Sequence, residues 1–61
     1  MSFEYIRHHF YVPARQNMKV LVEGKMGVIK DAIGPYIMVL FEGEQELTPC
    51  HPRLHVDYLE G

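Results

Sequence analysis

The feature that most constrains the fold is a series of short β-branched segments that glycine and proline interrupt between residues 20 and 58. Valine, isoleucine and aromatic residues favour strands, whereas glycine and proline favour the turns between them. In a chain of only 61 residues, closure of the sheet is the simplest way to hide its edges. The series therefore predicts a single all-β domain built as a small barrel.

The interruptions divide the chain into five predicted strands. These strands cover residues 18–23, 27–33, 36–42, 45–48 and 55–58. The first two are joined by a predicted reversal over residues 24–27, in which glycines supply positive φ. Two prolines in four residues exclude a regular strand over residues 49–54 and favour a 3₁₀ turn before the last strand.

The N-terminal segment is separate from these strands. We expect residues 1–12 to form an aromatic arm and residues 13–61 to form the barrel. Phe3, Ile6 and Phe10 have the spacing of one helical face, but the tyrosines between them blur that stripe. An extended or irregular arm packed on the barrel is therefore the favoured interpretation.

The strand region resembles the SH3-like barrels of the KOW and Tudor type. The resemblance lies in the pattern Val-x-Val-x-Gly-x-x-Gly-Val-Ile at residues 20–29, followed by Ile-x-Val-x-Phe-x-Gly at residues 37–43. Motifs this short support a fold more than a function. The resemblance implies a five-stranded SH3-like barrel with a 3₁₀ turn before the last strand.

A narrower resemblance is to small uncharacterised proteins of phages and prophages. The shared pattern is Val-Pro-Ala at residues 12–14, Gly-x-x-Gly-x-Ile at 24–29, a Gly-ended strand at 42–43, His51-Pro52 and a late tyrosine, Tyr58. Arg and Leu stand at 53–54 where that family has Thr and Trp, and the strand ends in Glu-Gly rather than Asp-Gly. The resemblance implies an origin in a mobile element and no defined activity.

The size of the chain limits how stable it can be alone. A domain of this length buries roughly 60% of the surface that its unfolded chain exposes, so association with a second chain would add stability. The lone Cys50 argues against a disulfide-stabilised secreted protein. Because no apolar run has the length of a membrane span and no signal-peptide pattern is present, we expect a cytoplasmic protein.

Cys50, His51 and His55 raise the possibilities of a metal site and of catalysis. Structural zinc requires paired ligands at turn spacing, whereas adjacent side chains in an extended segment point apart. A nucleophilic cysteine requires a base, an orienting group and an oxyanion site in one cleft. We therefore expect no metal, no cofactor, no small-molecule substrate and no enzymatic activity.

Charge is unevenly distributed along the chain, with a net charge of −2. Residues 1–30 carry five cations against two carboxylates, and residues 31–61 carry one cation against six carboxylates. Lysine and arginine neutralise phosphates, and an aromatic ring can stack on a base. A KOW-like nucleic-acid-binding protein is thus the alternative hypothesis, with Tyr36 as the stacking ring and these cations on the binding surface: Arg15, Lys19, Lys25 and Lys30.

Apolar residues on the outward side of the predicted strands favour protein docking instead. If Ile37, Val39 and Phe41 face the core, the residues between them face outward, and a small monomer seldom exposes so many apolar side chains. Either a partner covers them or the arm folds back over them. We therefore predict a non-enzymatic module that docks a protein partner or a copy of itself. The predicted interface residues are Leu21, Tyr36, Met38 and Leu40 on the strands and Phe3 and Phe10 on the arm.

Overall fold

The computed structural model describes residues 3–59. One short helix precedes five strands, which form a single antiparallel sheet in the order β4-β3-β2-β1-β5. The prediction of a five-stranded all-β domain is confirmed. The elements are α1 (Phe3–Phe10), β1 (Lys19–Val22), β2 (Lys25–Ile33), β3 (Tyr36–Phe41), β4 (Thr48–Cys50) and β5 (Val56–Tyr58).

The β1–β2 hairpin turns earlier and more tightly than we predicted. Its two central residues are Glu23 and Gly24, with φ values of 51° and 83°, and Val22 pairs with Lys25 across the turn. Positive φ at both central residues is the mark of a type I′ turn, whose twist matches that of the flanking strands. The predicted reversal over residues 24–27 is therefore wrong at its C-terminal end.

Gly27 lies inside β2 because its neighbours leave no room for a side chain. A Cβ atom at this position would approach Val39 Cγ1 to 2.5 Å and Phe41 Cδ1 to 3.1 Å. Gly27 pairs with Phe41 across the β2–β3 ladder. This glycine serves close packing of the core rather than a turn.

The fourth strand covers Thr48–Cys50 instead of the predicted 45–48. Proline is tolerated there because β4 is an edge strand of the described sheet, and a proline on an edge need not donate to the ladder. A single turn follows, closed by the Leu54 N–H, which donates to His51 O at 3.4 Å. This i→i+3 bond is of the 3₁₀ type, and the turn leads into β5.

Within the N-terminal segment, Phe3–Phe10 form a helix, so our expectation of an extended arm is wrong for these residues. Ile6 is fully buried, and Phe3 and Phe10 pack against the same cluster of core side chains. The Arg7 guanidinium donates to Ala14 O at 3.0 Å and ties the helix to the following loop. An eight-residue helix is marginal in isolation, so burial of this face accounts for its presence.

The core lies on the inner side of the sheet, under the helix. Every member of the core is apolar. Separately, no helix within residues 3–59 has the length and apolar character needed to cross a membrane. The buried core side chains are Ile6, Ala14, Met18, Val20, Ile29, Ala32, Ile37, Val39 and Phe41.

Candidate functional site

The outer side of the sheet carries the predicted interface residues of the strands. Because successive side chains of a strand point to opposite faces, the complete burial of Val20 and Val39 directs Leu21, Met38 and Leu40 outward. Each of these three is half-buried. Tyr36 lies on the same side at the start of β3, with 46% of its surface exposed.

Strand pairing adds three residues that the sequence analysis missed. Leu21 pairs with Met26, Leu40 with Val28, and Tyr36 with Ile33. All seven side chains lie on one side of three adjacent strands, and we call them the outer apolar face; the exposed Asp31, which pairs with Met38, is a charged residue on the same side. Its members are Leu21, Met26, Val28, Ile33, Tyr36, Met38 and Leu40.

A β-bulge in β2 explains why the sequence analysis did not place Val28 and Ile33 on the same face. The pairing passes from Ile29–Val39 to Asp31–Met38, so Lys30 is an extra residue on β2. A bulge shifts the alternation by one residue, and Val28 and Ile33 therefore share a face although their separation is odd. The alternation of residues 26–29 was the sequence signal that could have identified Met26 and Val28 as outward-facing.

The helix does not cover the outer apolar face. Phe3 and Phe10 pack against the core cluster on the inner side, so these two predicted interface residues are separated from Leu21, Met38 and Leu40. The alternative in which the N-terminal segment folds back over the outer side is wrong for residues 3–12. Within residues 3–59, the element that packs on the sheet besides its own strands is α1, which contacts β2 and lies against the core cluster.

A groove of about 360 Å³ crosses this face. Met26, Val28 and Leu40 supply apolar side chains, and Lys19 and the carboxylates of Glu42 and Glu44 supply charge. The groove is therefore an apolar strip with a cation and two carboxylates at its margins. The other residues lining it are Gly27, Phe41 and Gly43.

The four cations of the nucleic-acid hypothesis occupy different surroundings. Lys25 Nζ lies 3.9 Å from a carboxylate oxygen of Glu44 and 5.3 Å from the centre of the Phe41 ring. Lys30 Nζ donates to Asn17 Oδ1 at 3.5 Å, and Arg15 is exposed in the loop before β1. Lys19 lines the groove of the outer face, where carboxylates accompany it.

Cys50 and His51 contact neighbouring groups of the fold. Burial raises the pKa of the Cys50 thiol, and the Glu23 carboxylate raises it further, so the thiol stays protonated and is a poor nucleophile at neutral pH. His51 Nδ1 accepts a hydrogen bond from the Arg53 N–H at 3.1 Å, and its ring packs edge-on against Phe10 at 5.0 Å. Within residues 3–59, no three His, Cys, Asp or Glu side chains converge as metal ligands.

Comparisons with known proteins add no relative to this description. A scan against protein-family models found none that matches the chain. Searches of curated proteins and of solved structures gave no significant match. The functional argument therefore rests on the side chains of the described structure.

Proposed function

We propose that the chain is a non-enzymatic module that docks a protein through its outer apolar face. The observation that carries the proposal is an apolar surface shared by three adjacent strands and left uncovered within residues 3–59, while the helix packs on the opposite side. Large apolar patches on small domains mark sites of interaction. Two members, Ile33 and Tyr36, keep 56% and 46% of their surface exposed.

The energetics favour docking for a chain of this size. Each square ångström of apolar surface removed from water contributes about 25 cal/mol, and a 61-residue domain has few other sources of stability. Covering Ile33, Tyr36 and Met26 with apolar groups therefore stabilises the fold and the complex together. The edge of the groove supplies charges that orient the partner.

The resemblances noted from the sequence extend this proposal. We assign the module to the SH3-like barrels of the KOW type, with a phage or prophage origin and a cytoplasmic location. A KOW-like role in nucleic-acid binding is the alternative, and it would use Arg15, Lys19, Lys25 and Lys30. Because Lys25 is already paired with Glu44 and the net charge is −2, protein docking is the stronger hypothesis.

Methionine footprinting tests the proposed docking surface. Met26 and Met38 belong to the outer apolar face, whereas Met18 is a core residue with 8% exposure and serves as the internal control. We expect slower oxidation of Met26 and Met38 in an extract of the producing cells than in dilute purified protein, with Met18 slow in both. An added methionine peptide calibrates the oxidant dose.

Two comparisons make this experiment specific. Val28→Glu places a charge in the outer apolar face and should abolish the protection, whereas Lys30→Glu changes an exposed side chain on the same strand and should preserve it. Equal oxidation of Met26 in extract and in dilute buffer would refute docking of another cellular protein through this face. Protection that disappears after nuclease treatment would instead support the nucleic-acid alternative.

A further inference from the structure

The charges beside the groove lie on opposite sides of β2. Lys19 on β1 pairs with Val28, which pairs with Leu40 on β3. Two residues further along this ladder, Met26 O accepts a hydrogen bond from the N–H of Glu42 at 3.1 Å. Lys19 and Glu42 therefore lie on the two sides of the apolar strip, and their positions differ by two residues along β2.

These two side chains have no ionic partner in the described structure. The ion pair within residues 3–59 joins Lys25 to Glu44. Lys19 and Glu42 are both exposed. An apolar strip with a cation at one margin and a carboxylate at the other is complementary to itself. The complementarity requires that one copy be reversed across the strip relative to the other.

We propose that the occupant of the outer apolar face is a second copy of this chain, related by a twofold axis that runs along β2. This inference rests on the proposed docking function and names its partner. The axis places β1 of one copy over β3 of the other, and β2 over β2. Lys19 of each copy then lies beside Glu42 of the second copy, and Met26 and Val28 meet their own equivalents.

Symmetry and size are consistent with this arrangement. A twofold interface uses the same patch on both subunits, so each contact between different residues occurs twice. A standard interface buries about 800 Å² per partner, which is about one fifth of the 4203 Å² surface. The two longer dimensions of the molecule, 30 and 20 Å, bound a face somewhat smaller than this, which is the size of a weak and reversible interface.

Sedimentation equilibrium with charge-exchanged variants tests the arrangement. We expect a reversible dimer of the full chain, a dissociation constant about tenfold higher for Lys19→Glu and for Glu42→Lys, and a value near wild type for the double variant. The single changes replace two attractions by two repulsions, and the double change restores both pairs. Lys30→Glu, the same charge change away from the groove, should leave the dissociation constant unchanged.

Two outcomes would overturn the inference. One is a chain that remains monomeric up to about 1 mM, a concentration at which even weak specific dimers form. The other is a double variant that dimerises no better than the single variants, because the pairing of Lys19 with Glu42 would then be absent. Added salt should weaken the wild-type dimer, since exposed charge pairs are screened.

Footprinting of the unmodified chain separates this inference from the proposed function. If a second copy is the partner, protection of Met26 increases with the concentration of purified protein. Protection in cell extract without protection in concentrated purified protein would overturn self-association and support docking of a different protein. Lack of protection under both conditions would overturn both proposals.

Discussion

At the scale of single residues, Gly27 shows how an absent side chain leaves room for core side chains of the neighbouring strand. A Cβ at this position would lie 2.5 Å from Val39 Cγ1, and Val39 is itself fully buried. We expect Gly27→Ala to lower the free energy of unfolding by about 1–3 kcal/mol because the core is overpacked. Urea denaturation measures this change.

A double-mutant cycle identifies the cause of that loss. Val39→Ala alone should destabilise the protein by leaving a cavity. Combined with Gly27→Ala, it should cost less than the sum of the single changes, because the second alteration removes the atom that the new Cβ meets. Additive losses would show that Gly27 is required for a reason other than contact with Val39.

Tyr58 should make stability depend on pH in the alkaline range. Burial, with a smaller contribution from Cys50, raises the pKa of its phenol from 10.0 to about 12, and the hydroxyl donates to Pro52 O at 2.6 Å. The unfolded chain therefore releases this proton at lower pH than the folded chain. The stabilisation is complete below pH 10 and is lost as the pH rises towards 12.

The measurement is urea denaturation at a series of alkaline pH values, with tyrosinate absorbance followed in parallel. Tyr58→Phe should flatten the decline in stability attributable to this group and cost about 1 kcal/mol at neutral pH through the lost hydrogen bond. Tyr36→Phe, a change at an exposed position, is the matched control and should preserve the decline. An unaltered decline in Tyr58→Phe would contradict the assignment.

At the scale of elements, the β1–β2 hairpin contains a residue that is poorly suited to its backbone. Glu23 has a φ of 51°, a left-handed conformation that costs most L-residues roughly 1–2 kcal/mol. We expect Glu23→Asn to raise the free energy of unfolding by about 0.5–1 kcal/mol, since asparagine is favoured in type I′ turns. Thermal or urea denaturation at neutral pH measures this gain.

Gly24→Ala provides the opposing control in the same turn. No atom lies within 4 Å of a Cβ built at Gly24, but its φ is 83°. Alanine should therefore destabilise the hairpin through backbone strain alone. A stabilising effect of Gly24→Ala, or a destabilising effect of Glu23→Asn, would show that the turn does not keep its type I′ conformation in solution.

The elements also show which parts of the fold are readable from local sequence. The spacing of Phe3, Ile6 and Phe10 indicated a helical face, but a helix this short depends on burial of Ile6. The strand at Thr48–Cys50 contains a proline that local rules exclude from a central strand. Its edge position, which makes proline acceptable, is a property of the assembled sheet.

At the scale of the whole molecule, self-association should link stability to protein concentration. A dimer that dissociates on unfolding is stabilised by mass action. We expect the unfolding temperature of the wild-type chain to rise by several degrees for each tenfold increase in concentration. Val28→Glu, which places a carboxylate in the outer apolar face, should remove this dependence, and differential scanning calorimetry measures both.

The comparison of variants distinguishes loss of the dimer from loss of the fold. Val28→Glu should still unfold cooperatively, because Val28 is half-buried on the outer side and is outside the core cluster. Lys30→Glu should retain the concentration dependence of the wild type. An unfolding temperature of the wild-type chain that stays independent of concentration up to about 1 mM would contradict self-association.

The amino-acid sequence by itself determined the all-β class, the number of strands, and the inward and outward sides of β1 and β3. These properties follow from alternation and turn chemistry, which act between near neighbours in the chain. Tertiary structure alone decided that α1 forms, that Gly27 is a packing residue, and that the bulge at Lys30 brings Val28 and Ile33 to one side. Each of these depends on contacts between distant segments, and together they place the helix on the inner side of the sheet and seven apolar side chains on the outer side.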